Sequence, residues 1–323
     1  MSLEFFISSI EEGLVYGIMA LGVYLTFRVL RFPDLTVDGS FPLGGAVAAK
    51  LIVLGVSPWL ATALSPLAGG LAGLVTGILH TKGKITGLLS GILTMTALYS
   101  INLRIMGRSN IPLLRTETVV SLWHEWLPAQ VEAVARLVTP GTVQVARQAG
   151  GSGKTNFEFL VGLFVMLVAF AVVTLTIKFL MDWFLFTEVG LALRATGDNE
   201  QMIRSLGVNT DRMKILGLAL SNALVAFSGA LVAQYYAFAD IGMGIGMIIA
   251  GLASVIIGEV AFGVRSIPGT TLAVIGGSVV YRLAIAFALS YGFTPTDLKL
   301  ITAILVIVAL TTPTFKRSLG LAG

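Results

Sequence analysis

The chain has 323 residues, of which 56% are hydrophobic and only 12% charged, with a net charge of +4. Soluble domains carry about 25% charged residues, so this composition excludes a water-soluble globular protein and points to lipid as the solvent. It has no cysteine and two histidines, His80 and His124, which excludes disulfides, thiolate metal sites, cysteine nucleophiles and a histidine metal cluster.

Apolar runs long enough to cross a bilayer are predicted at 13–30, 41–55, 57–79, 85–106, 157–181, 213–237, 243–262, 266–289 and 297–313. The expected fold is an all-α polytopic membrane protein of about 8–10 transmembrane helices forming one domain over 1–323. The start, "MSLEFFISSIEEGLVYG", has neither the basic flank nor the small-residue cleavage site of a signal peptide. Between the first two spans, "RFPDLTVDGSFPLG" carries Pro33, Gly39 and Pro42, which oppose a regular helix, and the second span is too short to cross fully. In the third and fourth, Gly69, Gly73 and Gly77, then Gly87 and Gly91, fall every fourth residue on one helix face and predict tight helix pairs. Residues 107–156 read as a long extracytoplasmic loop. It holds a candidate interfacial helix, "WHEWLPAQVEAVARLV", with Trp123 and Trp126 near its start. Within it, "GGSGKTN" imitates a phosphate loop, but Gln148 stands where the first glycine belongs and no strand precedes it, so it reads as a Gly/Ser linker.

Placing the N-terminus outside puts Arg28, Arg31, Lys82, Lys84, Arg194, Arg204, Arg212 and Lys214 on the inner side, which predicts an N-out, C-in arrangement. Modest basic charge beside spans is a topology signal and implies no nucleic-acid partner.

The insert "GLALRATGDNEQMIRSLGVNTDRMKILG", within a cytoplasmic loop at 182–212, is far more polar than a simple connection needs. Asp198 is a candidate N-cap with Gln201 as its capping-box partner, Gly207 a left-handed terminator, and Asn209, Thr210 and Asp211 caps for the next span. Met202, Ile203 and Leu206 share one face of the two-turn helix so framed, and Glu200 and Arg204 are spaced to pair on another. So short a helix needs a surface to pack on: a groove in a partner, lipid headgroups, or neighbouring loops.

This insert resembles the cytoplasmic coupling loop of permeases in ATP-binding-cassette importers, in the branched-chain amino-acid and simple-sugar (LivH/RbsC-like) group. Arg194, Ala195, Gly197, Asn199 and Gly207 stand at the motif positions. "DLTVDGSFPLGGAVAAKL" and "GLASVIIGEVAFGVRSIPGT" resemble two further signatures of the group in the same order along the chain, with departures at Asp38, Gly39, Glu259, Val264 and Ser266. "GILTMTALYSINLRIMG" is most similar to permeases of aromatic amino-acid uptake systems of the tryptophan or tyrosine type.

The resemblance implies a permease of the plasma (inner) membrane that pairs with a second copy of itself, with ABC ATPase subunits and with an extracytoplasmic solute-binding protein. No cofactor is expected on this chain; ATP and Mg would sit on the partner ATPase. The coupling surface so implied comprises Arg194, Asp198, Asn199, Glu200, Met202, Ile203, Leu206 and Gly207. The irregular stretch becomes a discontinuous helix beginning near Phe41, its positive end aimed at a cavity that suits a substrate carboxylate; the alternative is that 31–40 is a cytoplasmic loop with its acids solvated. Asp34, Thr36, Asp38, Ser40 and Phe41, with Asn102 and Asn222 from other spans, are the candidate pathway residues. Lys50, Arg104, Gln234, Glu259 and Arg282 are further polar residues inside spans, with Glu259 expected to pair with Arg282 or Arg265. Thr94, Thr96, Tyr99 and Ser100 are read as interhelical hydrogen-bonding residues. The competing function is an ion-gradient-driven secondary transporter, for which Glu259 is the one serious buried acid. An intramembrane enzyme lacks its catalytic constellation.

Overall fold

The computed structural model describes residues 3–123, 152–263, 266–293 and 300–304, with 307 and 311. Seven stretches among them are long and apolar enough to cross a membrane: Phe5–Val29, Pro58–Thr81, Gly87–Met106, Phe164–Phe186, Thr210–Tyr235, Ile241–Phe262 and Ile267–Ser290. An eighth helix, α2 (Val37–Val53), has 17 residues and is the short span that the prolines foretell. The ninth predicted span, 297–313, falls mostly outside the described residues, as do Trp126 and most of the candidate interfacial helix.

Helix α1 (Leu3–Tyr24) passes into a π-turn (Leu25–Val29). Arg31, with φ of +52°, then turns the chain out of the helix. Pro33 cannot donate to a helical ladder, and the chain runs irregularly to Thr36 before α2 starts. The discontinuity is therefore real, but it ends at Val37 and not near Phe41. Gly39, Ser40 and even Pro42 are helical, because Pro42 sits early enough in α2 to forgo only one bond.

Helix α3 (Pro58–Thr81) opens with proline at its first position, where no donor is lost. Its internal Pro66 would strand the Thr62 carbonyl, and the Ser65 hydroxyl donates to that oxygen at 2.8 Å. In lipid this substitution of a hydroxyl for a missing N–H is what lets a proline stay inside a span. Helix α4 (Gly87–Met106) ends at Gly107, and a two-stranded ribbon follows. Its strands, β1 (Asn110–Pro112) and β2 (Phe238–Asp240), pair antiparallel with Ile111 opposite Ala239.

Helix α5 runs from Ser152 to Phe186. It overturns two boundaries: the stretch read as a Gly/Ser linker is helical from Ser152, and the loop expected from 182 begins after Phe186. Most of that expected loop is in fact helix, as α6 (Glu188–Asp198) and α7 (Glu200–Ser205). Helices α8 (Thr210–Tyr235), α9 (Met247–Phe262) and α10 (Ile267–Ser290) complete the bundle.

Helix α8 is the axis of the packing, lying against α3, α2 and α1, while α10 joins α9 to α1. The glycine ladder explains how α3 approaches it so closely. A Cβ added at Gly69 or Gly73 would strike the Asn222 or Leu218 carbonyl oxygen of α8. Gly44 of α2 and Gly229 of α8 interlock in the same way against the Ala226 and Phe41 carbonyls. Where lipid tails offer no hydrophobic drive between helices, such backbone contact supplies the dispersion that holds them.

Gly73→Ala is expected to remove several kcal/mol of stability, the cost of overpacking onto backbone that cannot give. Gly70→Ala, whose added Cβ would meet Ala219 O at an ordinary 3.6 Å, is expected to be silent. Thermal stability in detergent, read by size-exclusion chromatography after heating, separates the two.

Candidate solute pathway and coupling surface

The start of α2 is built around a polar knot with no solvent access. Asp34, Thr36, Ser40, Asn102 and Asn222 are all fully buried. The Thr36 N–H donates to Asp34 Oδ1 at 2.9 Å, so the chain's own carboxylate occupies the N-terminal end of α2. Asn222 of α8 donates to Asp34 Oδ2 at 2.7 Å and accepts from the Ser40 hydroxyl at 2.7 Å, tying α2 to α8 twice through one amide. Thr36 and Thr76 of α3 share a 2.8 Å hydroxyl contact. Asn102 of α4 donates to the Gly39 carbonyl at 3.1 Å.

Asp38 has a different task. Its carboxylate accepts from Gly246 N at 3.0 Å and Ile248 N at 2.8 Å, so it caps α9 from across the bundle. The residue at that cap position is Gly246, which has no side chain to offer, and Asp38 supplies the missing acceptor and complements the helix dipole. Phe41 is fully buried and stacks on Tyr16 with ring centroids 5.6 Å apart.

Beside this knot lies a cleft of about 380 Å³ between α2, α4 and the 3-10 turn at Ile241–Gly244. Asp38, Thr96, Tyr99, Ser100 and Asn102 bring polar atoms to its wall. The Asn102 Oδ1 is buried without a hydrogen-bond partner. Thr94 and Thr96, expected to bond between helices, donate instead to Ser90 O and Ile92 O of their own helix.

Most of the other deep polar residues have packing partners, though Glu11 Oε1, Ser278 Oγ and Arg282 Nε are, like Asn102 Oδ1, buried without one. Gln234 donates to Thr62 Oγ1 at 2.7 Å and accepts from Val119 N at 2.9 Å, bridging α8, α3 and the segment after β1. Glu259 pairs with Arg28 at 2.8 Å, and Arg282 with Glu12 at 3.2 Å, so the expected Glu259–Arg282 pair does not form. Arg265 lies outside the described residues. Sequence spacing could not supply these partners, since each pair joins the two ends of the chain.

At the far end of α1, the insert docks on the π-turn. A Cβ at Gly197 would strike the Val29 carbonyl, so glycine is what lets α6 lie flat there. Arg31 pairs with Asp198 at 3.0 Å. The cap of α7 is Asn199, whose Oδ1 accepts from Met202 N at 3.0 Å, and not Asp198, which closes α6. Gly207 terminates α7 with φ of +88°, and Asn209 caps α8 through Arg212 N at 3.1 Å. Glu200 gathers Lys214 at 2.7 Å and Arg204 at 3.1 Å, fixing α7 to the start of α8. Lys214 holds the Glu200 carboxyl below its usual range, with Thr210 and Arg204 adding to the effect. A depressed acid contributes stability above its unfolded value and loses it as pH falls through the folded one, so this clamp stands at neutral pH and opens in acid. Met202 and Leu206 remain 61% and 67% exposed, Ile203 is half-buried, and Arg194 lies on the partly exposed side of α6.

The profile of the branched-chain amino acid transport system permease component matches residues 6–311. The chain belongs to this permease family. A tyrosine transport system permease protein of Clostridioides difficile is 44% identical over 97% of this chain and 92% of its own length. The ribose import permease RbsC of Escherichia coli K12 is 25% identical over 87% of this chain and 74% of its own. The branched-chain permease LivH of the same strain is 33% identical over 40% of this chain and 39% of its own. No solved structure matches. With seven stretches fit to cross a membrane among the described residues, the permease is a multi-pass membrane protein.

The permease thus gathers the predicted residues into two places. Asp34, Thr36, Ser40 and Asn222 meet in the knot; Asp38 and Asn102 line the cleft. The insert residues form a separate rigid platform at the end of α1. What the sequence did not disclose is that Tyr99, Thr96 and Ser100, read as helix-packing residues, line the cleft with Asn102. Their shared spacing along one face of α4 is the signal that would have found them.

Asn222→Leu is expected to abolish folding or cost about 3–5 kcal/mol, because it leaves Asp34 buried without its side-chain partner. Asn222→Asp places two carboxylates in contact, so one must hold a proton. Its thermal stability in detergent is expected to be greater at about pH 5 than at about pH 8, the reverse of any effect from the Glu200 clamp.

Proposed function

We propose that this permease is the membrane subunit of an ATP-binding-cassette importer for an amino acid, working as a pair of identical copies. The N-terminus lies outside and the C-terminus inside, in the bacterial inner membrane. An external binding protein delivers the solute, and ATP and Mg are handled by two partner ATPase subunits that dock on the 188–212 platform. The chain performs no covalent chemistry.

The observation that carries this reading is the platform itself. Helix α7 is capped at both ends, clamped by Glu200, and still presents Met202 and Leu206 to solvent. An isolated helix of six residues does not form, so its rigidity comes from the base, and the base leaves its apolar patch free for a groove in another protein. Force applied there meets α6, and α6 meets the π-turn through Gly197 and the Arg31–Asp198 pair. The π-turn leads within a few residues to Asp34 and the start of α2. A push on the platform therefore has a short covalent route to the discontinuous helix.

A second feature supports a pathway along α4. Thr96, Tyr99, Ser100 and Arg104 are exposed in the chain and recur on one face of that helix. A polar stripe against lipid is costly, and such stripes line an aqueous pathway or face another chain. A second copy placed across this face encloses the pathway. The ion-gradient alternative rests on Glu259, and that acid is ion-paired with Arg28 at the end of α9. The tyrosine permease relative supports an amino acid as solute.

A Met202→Asp, Leu206→Asp variant is expected to stay folded, since neither residue touches the core, and to lose co-purification of the ATPase and at least about tenfold in uptake of labelled tyrosine by cells. Retention of the ATPase by this variant, or uptake in energised vesicles without ATP, would sink the coupling reading.

A further inference from the structure

The cleft beside α2 carries more than a passage. We infer that it is a solute-binding site within the membrane span, built for a zwitterionic amino acid with an aromatic or large apolar side chain. The inference rests on the permease reading above and adds to it a place where the solute pauses.

Its volume, about 380 Å³, falls within the range of small-molecule sites, roughly 300–1,000 Å³. The decisive atom is Asn102 Oδ1. Asn102 is fully buried, its amide nitrogen is spent on the Gly39 carbonyl, and its oxygen has no partner. That bond also fixes which end of the amide is which: the atom facing Gly39 O must be the donor, so the orphan is an acceptor. A buried acceptor left unmatched costs free energy that a matching donor returns. Asp38 stands in the same wall. Its oxygens accept from Gly246 N and Ile248 N, with the Met247 N–H also against the carboxylate, and since a carboxylate has about four acceptor positions it retains room for one donor from the cleft. Acceptors on one side, with no cation among the residues lining this cleft, call for an ammonium.

The opposite requirement is met one turn along α4. A second hollow of about 330 Å³ shares Ser100 with the first and is lined by Arg104. Arg104 has no ion pair among the described residues. Asn102 and Arg104 leave different faces of α4, so the ammonium would sit with Asp38 and Asn102 on the cleft side and the carboxylate would be met by the long Arg104 side chain reaching back past Ser100. Pro42, Met95, Tyr99 and Ile245 give the cleft an apolar side with one aromatic face, which suits a ring. This resolves the division of labour inside the knot: Asp34 and Asn222 satisfy one another and hold α2, while Asn102 is left half-satisfied for the solute.

The test is equilibrium binding of tritiated L-tyrosine to the full-length permease in lipid nanodiscs, with tyramine and 3-(4-hydroxyphenyl)propionate as competitors. Tyramine lacks the carboxylate and the propionate lacks the ammonium. Saturable tyrosine binding is expected, with the propionate failing to compete. Ile245→Trp, at an exposed position whose larger ring fills the cleft, is expected to abolish binding without loss of fold. Asn102→Leu is expected to weaken it by about tenfold, the order of one unmade buried hydrogen bond. Arg104→Ala is expected to weaken tyrosine and leave tyramine unchanged, a split that a merely structural residue would not produce. Equal tyrosine binding by wild type and Ile245→Trp overturns the site. So does absence of binding by wild type when cells still require the chain for tyrosine uptake, a result that leaves the transport reading standing. Tyrosine uptake indifferent to deletion of the chain, with no binding in nanodiscs, instead overturns the amino-acid transport reading and the site with it.

Discussion

A helix interrupted inside a bilayer has no water to satisfy its loose ends, and that constraint organises this permease. The break between α1 and α2 leaves backbone donors and acceptors on a stretch where Phe32, Asp34 and Thr36 are buried, and every one left unmatched away from water costs several kcal/mol. Asp34 accepts from the Thr36 N–H and Asn102 of α4 donates to the Gly39 carbonyl, while Asn222 of α8 holds the Asp34 carboxylate and Thr76 of α3 meets the Thr36 hydroxyl. Because the partners must reach the break, the helices that carry them must approach closely. The glycines of α3, α2 and α8 make that approach possible. Polar knot and glycine packing are therefore one device, since neither works at ordinary helix spacing.

The same device sets what moves and what stays. Asp38 binds the start of α2 to the first turn of α9, and Asn222 binds it to α8. Helix α2 is thus held as a unit with α8 and α9, and its mechanical freedom lies upstream, in the irregular chain from Leu30 to Thr36. That chain is where the platform of α6 and α7 makes contact. The ion pairs there, Arg31–Asp198 and Arg28–Glu259, are largely exposed and weak individually. They suit a joint that must yield, whereas the buried knot does not.

Much of this was legible in the residues, and the failures have a common cause. Pro33 announced the break because proline acts locally, through its missing donor, whereas Gly39 and Pro42, read with it, lie inside α2. The four-residue glycine spacing announced helix contact because periodicity is local too. The insert's Glu200–Arg204 pair and the Gly207 terminator followed from spacing alone, and both stand as read. The cap of α7 was misplaced by one residue. Asp198 and Asn199 are equally good caps by chemistry, and the choice is made by how far α6 extends, which depends on Gly197 lying against Val29. Likewise the partners of Glu259 and Arg282 come from α1, more than 200 residues away, and no local rule finds them.

Asn102 and Asn222 looked alike in sequence, each one amide in an apolar span, and the fold gives them opposite fates. Asn222 uses both ends of its amide on protein partners. Asn102 uses one. The difference does not come from the residue type or its depth, for both are fully buried. It comes from what meets the carbonyl oxygen: the Ser40 hydroxyl in one case, and in the other no partner, beside a cleft that Asn102 helps to line. A protein that stabilised itself alone would have closed that cleft with a serine or threonine hydroxyl, as it does at Ser40 and Thr36. Leaving one acceptor unmatched beside Asp38 and within a turn of Arg104 is a cost to folding, and such costs are sustained where a transient ligand returns them.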